Sequence, residues 1–160
     1  MGGLIISTLH EYFSKYPYAE LESQDGLTRF RICTYSYAYP EITTDYDADW
    51  HRNFLSISLP AFCVEIDETI FQGEQLEISI AELKEFTSLK KPVVTVEPLE
   101  SFFSLEFSFN SKMNVIVKGI AEYPLGWGAR LEYEFETDLT YVDKFISGLE
   151  CILEVFPVRK

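Results

Sequence analysis

The sequence predicts an antiparallel α+β fold, and three observations carry that prediction. Apolar and polar residues alternate over most of the last third of the chain, the period of strands with one dry and one wet face. From Leu139 to Phe156 the spacing switches to the 3.6-residue period of an amphipathic helix. Strand-like and helix-like stretches do not alternate regularly, so a parallel sheet of βαβ units is not expected. The expected architecture is a meander-rich antiparallel β-sheet packed against a long C-terminal helix and a short middle helix.

The elements follow in order. Leu4, Ile5, Leu9, Tyr12, Phe13 and Tyr16 approach an i, i+4 stripe and read as a short helix, ended by Pro17. Residues 1–17 are taken as an N-terminal extension, and 18–160 as one α+β domain. Tyr18–Glu22 and Leu27–Tyr39 read as two strands around Gln24-Asp25-Gly26, a hairpin signal because Asp and Gly tolerate positive φ. Residues 41–51 read as a polar, acidic loop. Phe54–Ile66 reads as another strand, with Pro60 marking a bulge or an edge, and Ile70–Ile78 as one more. Ser79-Ile-Ala-Glu82 has the form of a capping box opening a short amphipathic helix through Ile80, Leu83 and Phe86. Phe103–Phe109, Met113–Tyr123 and Trp127–Phe135 are strand-like, with Trp127, Ala129, Leu131, Tyr133 and Phe135 assigned to the dry face. Thr137 or Asp138 is placed to cap the terminal helix, and Pro157 bars its continuation.

Composition excludes several classes. Of 160 residues, 47% are hydrophobic, enough for a core and too many for a disordered chain. Acids outnumber bases 26 to 13, a formal charge of −13. That charge repels phosphates, which argues against nucleic acid and against an anionic membrane surface. It favours a basic partner, or serves solubility. Three widely spaced cysteines, Cys33, Cys63 and Cys151, form no CxxC pair and read as reduced thiols. With no signal-like start and no apolar run near ~18 residues, a cytoplasmic location is expected.

Catalytic patterns are weak. Only His10 and His51 are available as imidazole bases. His51 with Asp47 or Asp49, and Cys33 or Cys63 as nucleophile, is the one enzymatic arrangement to weigh, and no local signature surrounds it. Asp45-Tyr-Asp47-Ala-Asp49 begins like a calcium loop but has Trp50 and Ser56 where Gly and Glu are needed. Phosphate loops and zinc spacings do not occur, and Gly126-Trp-Gly128 reads as a turn. No catalytic residue, metal or cofactor is assigned.

Two acidic features stand out instead. In the 41–51 loop, Asp45, Asp47 and Asp49 interleave with Tyr46 and Trp50, a pattern suited to gripping a basic protein or to a solvated loop anchored by Trp50. On the wet face of the strand near residue 133, Glu132, Glu134 and Glu136 stand in line, with Glu106 on a neighbouring strand. Such a face deters sheet aggregation or docks Lys and Arg of another protein. The candidate partner-binding residues are Asp45, Asp47, Asp49, Trp50, Glu132, Glu134 and Glu136.

Leu27-Thr-Arg-Phe-Arg-Ile32, then Tyr39-Pro-Glu41, then Tyr46-Asp-Ala-Asp-Trp50 resembles the opening of the WapI-family immunity proteins. Val96-Glu-Pro-Leu-Glu100, the Gly128–Thr137 strand and the terminal helix ending Phe156-Pro157 extend the resemblance over roughly residues 20–157. Asp49 stands where that family has Asn. The resemblance implies a non-enzymatic cytosolic protein that binds the toxic, nuclease-like C-terminal domain of a contact-dependent or wall-associated toxin. A nuclease cleft is basic because it holds a polyanion, and an acidic chain suits it. The alternative is an acidic scaffold or regulatory module without a toxin partner. Oligomeric state is not legible in the sequence.

Overall fold

A computed structural model describes residues 11–160. Strands β1 (Tyr18–Glu22), β2 (Arg29–Tyr37), β3 (Trp50–Ser58) and β4 (Cys63–Gln72) pair in that order as an antiparallel sheet, and helix α1 (Gly73–Thr87) follows. Strands β5 (Val93–Val96), β6 (Phe103–Phe109), β7 (Val115–Tyr123) and β8 (Ala129–Thr137) form a second antiparallel sheet in sequence order, followed by helix α2 (Leu139–Val155). The α+β class is as expected, but the meander is divided between two sheets. Four strands and then a helix occur twice, in units too long to show as a short sequence repeat.

Period-2 patterning builds both sheets. Phe30 and Ile32 of β2, Leu55 and Ile57 of β3, and Phe103, Leu105 and Phe107 of β6 are all buried on inner faces. The sheets meet through Phe30 and Phe103, whose ring centroids lie 5.0 Å apart, and Phe145 of α2 closes on Phe30 at 6.0 Å. Phe86 of α1 stacks on Phe109 at 4.4 Å. One apolar cluster thus joins both sheets and both helices, and each buried Phe contributes about 2–3 kcal/mol. Val142, Phe145, Ile146, Leu149 and Ile152 form the dry stripe of α2. Asp138 caps it, accepting from the Tyr141 backbone N–H at 3.0 Å.

Residues 11–15 are helical. The rest of the helix expected over 4–16, and His10, lie outside the described residues. Tyr12 stacks on Phe54 at 4.4 Å, and Phe13 packs with Cys33 and Phe54. This segment therefore covers the middle of the first sheet's outer face, around Cys33 and Phe54.

Several expectations are corrected. Phe54–Ile66 is a hairpin, not one strand. Pro60 sits in the turn between β3 and β4, where its fixed φ and missing N–H do no harm. Ile70–Ile78 is not a strand either, because β4 ends at Gln72 and α1 starts at Gly73. The Ser79–Glu82 capping box lies inside α1 with Ser79 buried, since Leu76, Ile80 and Leu83 extend the helical period upstream of it. Strand β5 was not anticipated. Trp127 is off the dry face: it lies in the β7–β8 turn and is 82% exposed, because β8 begins only at Ala129.

Candidate partner-binding surfaces

The acidic loop folds into a single 3-10 turn, Tyr46–Asp49, capped by Asp45, whose carboxylate accepts from the Tyr46 backbone N–H at 2.6 Å. Asp45, Tyr46 and Asp47 face solvent. Ala48 is buried and pins the turn. Asp49 points inward and is only 6% exposed. Its Oδ2 accepts from the Glu74 backbone N–H at 2.8 Å and its Oδ1 from the Arg159 backbone N–H at 3.0 Å. Gln72, the residue preceding α1, makes no side-chain cap, so Asp49 satisfies that helix start from 25 residues away. Arg159 then returns the favour to the loop: its guanidinium donates to Pro40 and Ile42 carbonyls and lies 3.5 Å from the Tyr37 ring centroid. The expected loop residues separate accordingly. Asp45 and Asp47 are presented outward, Asp49 belongs to the framework, and Trp50 is half-buried as the first residue of β3, opposite Gln72.

His51 is likewise not a loop residue. It is fully buried in β3, with Nδ1 3.0 Å from Thr34 Oγ1 and its ring packed against Tyr37 and Phe156. Burial pushes its pKa down to about 4, against the opposing pull of Asp49. Nε2 finds no partner among the described residues. Asp49 is committed to two backbone amides, and Asp47 faces solvent, so His51 meets neither in an open cleft. Cys33 is buried under Phe13, and burial raises its thiol pKa to about 12, whereas Cys63 is exposed beside Glu65. A reactive thiol needs the reverse environment. Among the described residues, no three of His, Cys, Asp and Glu converge as a metal-binding group. No helix there is long and apolar enough to cross a membrane.

The second sheet carries the other feature. On β8, Glu132 and Glu134 are exposed and Glu136 is half-exposed, while Phe135 and Thr137 are buried. Register places Glu132 opposite Ile120, Glu134 opposite Lys118 and Glu136 opposite Ile116. Glu106 is two strands away, with Lys118 between it and Glu134. Glu132 pairs with Arg130 at 3.2 Å, and Glu136 accepts from the Asn114 amide. Glu134, Asp45 and Asp47 take part in no ion pair among the described residues. The outward residues of β6, β7 and β8 are all exposed or half-exposed, so no described element covers this face. The middle of the first sheet's equivalent face, around Cys33 and Phe54, lies under the 11–15 segment. Sequence reasoning missed this difference, and it missed Trp127, whose one signal is its place between Gly126 and Gly128.

A model of the immunity protein WapI-like family matches residues 20–157. No curated protein matches the sequence. Among solved structures, "Crystal structures of trypanosoma bruciei MRP1/MRP2" matches with a TM-score of 0.47 and 10% identity, covering 96% of this chain and 93% of that chain.

Proposed function

The chain belongs to the WapI-like immunity protein family, and from that premise we propose that it binds and neutralises the nuclease-like C-terminal domain of a contact-dependent or wall-associated toxin, in the cytoplasm and without catalysis of its own. The observation that carries this reading is the uncovered outer face of the second sheet, with Glu132, Glu134 and Glu136 aligned along its edge strand β8. A domain that cleaves RNA must hold a polyanion and is basic where it does so. A face of fixed carboxylates opposes that charge, steers the encounter and blocks the cleft. Asp45 and Asp47 form a second acidic contact. Asp49 and Trp50 act behind them by shaping the loop.

The test is charge reversal. With Glu132, Glu134 and Glu136 all changed to Lys, affinity for the toxin domain encoded beside this chain falls about 100-fold at low ionic strength, and the salt dependence of binding flattens. Unchanged affinity and an unchanged salt slope remove this face from the interface. A chain that binds no such domain at all fits the acidic scaffold instead.

A further inference from the structure

We propose that Trp127 is the apolar anchor of the toxin interface and inserts between basic side chains of the toxin domain. This rests on the toxin-binding reading and adds a residue and a chemistry to it. Trp127 is 82% exposed, while the other tryptophan, Trp50, is half-buried. Exposed tryptophan is the residue type most often found to dominate a protein interface, and it is the strongest aromatic partner for Lys and Arg.

The turn that presents it is held from three sides. Glu122 Oε1 accepts from the Gly126 backbone N–H at 2.8 Å, and the Gly128 backbone N–H donates to the Pro124 carbonyl at 2.9 Å. The Tyr123 hydroxyl donates to Glu68 Oε1 at 2.9 Å, fastening the turn to β4. A side chain on Gly128 would strike the Tyr123 carbonyl at 2.1 Å, so the loop closes tightly there. The backbone that carries the indole is therefore held in place before binding, so the turn itself has little freedom left to lose.

Charge selects the occupant. Glu122 anchors the turn, and β8 runs directly from it to the outward Glu132 and Glu134. Five strand steps carry β8 from Ala129, just after the Trp127 turn, to Glu134, about 17 Å at strand rise. One interface of ordinary size, about 800 Å² per partner and roughly 30 Å across, covers both. A basic surface meets carboxylates along β8 and an indole at its end.

The experiment labels this chain with 5-fluorotryptophan, which gives two fluorine resonances, assigned with Trp127→Phe. The unlabelled toxin domain encoded beside this chain is then titrated in, and affinities of wild type and Trp127→Ala are measured by calorimetry. The expected result is a shift of the Trp127 resonance with loss of its H2O/D2O solvent shift, and an affinity loss of about 30-fold or more in Trp127→Ala at an unchanged melting temperature. Binding with the Trp127 resonance still solvent-sensitive and affinity within about twofold overturns the anchor and leaves the toxin reading standing. Absence of binding by wild type overturns both.

Discussion

Asp49 accepts the backbone N–H of Arg159 across 110 positions of the chain, while its second oxygen caps α1 through Glu74. One buried carboxylate thus joins the acidic loop, the first turn of a helix and the C-terminal segment. Asp49→Ala leaves two amides without an acceptor, and the expected cost is about 2–3 kcal/mol. Asp49→Asn keeps one acceptor oxygen and is expected to lose about half as much. Arg159→Ala keeps the backbone bond and removes only the contacts to Pro40, Ile42 and Tyr37, at about 1 kcal/mol. Urea unfolding of the three variants gives the order directly. An Asp49→Ala protein as stable as wild type contradicts the framework role.

His51 sets a pH dependence. Its folded pKa of about 4 lies below the ordinary 6.5 because it is buried. Between those values the unfolded chain takes up a proton that the folded chain refuses, so stability falls as pH drops through 6.5 toward 4 and this contribution is constant below that. The upper bound is about 3 kcal/mol. His51→Gln does not titrate. The difference between wild-type and variant urea midpoints should therefore shrink in wild type's disfavour from pH 7 to pH 4, on top of the carboxylate titrations the two proteins share. Parallel pH profiles would mean that His51 titrates normally.

What the sequence discloses and what it hides follow from the range of the interactions. β6, β7 and α2 are legible because their periodicity reports one dry face each, a local property of consecutive residues. The start of α1 is illegible because its cap, Asp49, comes from a distant loop, and a local Ser-x-x-Glu pattern imitates a start seven residues too late. The burial of His51 and Asp49 is hidden for the same reason: polar residues go inside only when tertiary partners meet them. Trp127 shows the opposite error, since alternation was carried past the strand's end into a turn. The WapI-like membership was legible in short motifs, Tyr39-Pro-Glu41 and Tyr46–Trp50 among them. In this chain the inward-facing Asp49 of the second motif ties the loop to α1 and to the C-terminal segment.

Gly119 and Tyr133 are register partners, and the Tyr133 ring lies over the glycine. A Cβ at position 119 would fall 2.1 Å from the ring. The ring also stacks parallel to Phe135, and its buried hydroxyl has no partner among the described residues. Burial alone drives the phenol's pKa well above its ordinary range. Gly119→Ala is expected to cost about 1–3 kcal/mol by overpacking. Tyr133→Phe is expected to gain about 1 kcal/mol by removing an unsatisfied hydroxyl. The double variant Gly119→Ala/Tyr133→Ala should cost less than the sum of its parts, because each change relieves the other. Thermal melts of wild type, Gly119→Ala, Tyr133→Ala and the double variant close the cycle, with Tyr133→Phe melted alongside, and strict additivity would place the ring elsewhere.

Lys118 offers the sharpest probe of the second sheet, because it sits in register between Glu106 and Glu134 on the open face. It is the central positive charge there, and it makes no ion pair within 4.0 Å among the described residues. Lys118→Glu converts the row to three aligned carboxylates and is expected to cost about 0.5–1 kcal/mol of stability at low salt. If this face steers a basic toxin domain, the same change speeds association about two- to fivefold at low ionic strength, and the gain vanishes near about 0.5 M salt, where the screening length is a few ångströms. A loss of stability together with a gain in association rate is difficult to obtain from damage to the fold, which makes the pair of measurements, urea unfolding and stopped-flow binding, more discriminating than either alone. A Lys118→Glu protein that associates no faster places the steering charge on the Asp45–Asp47 side instead.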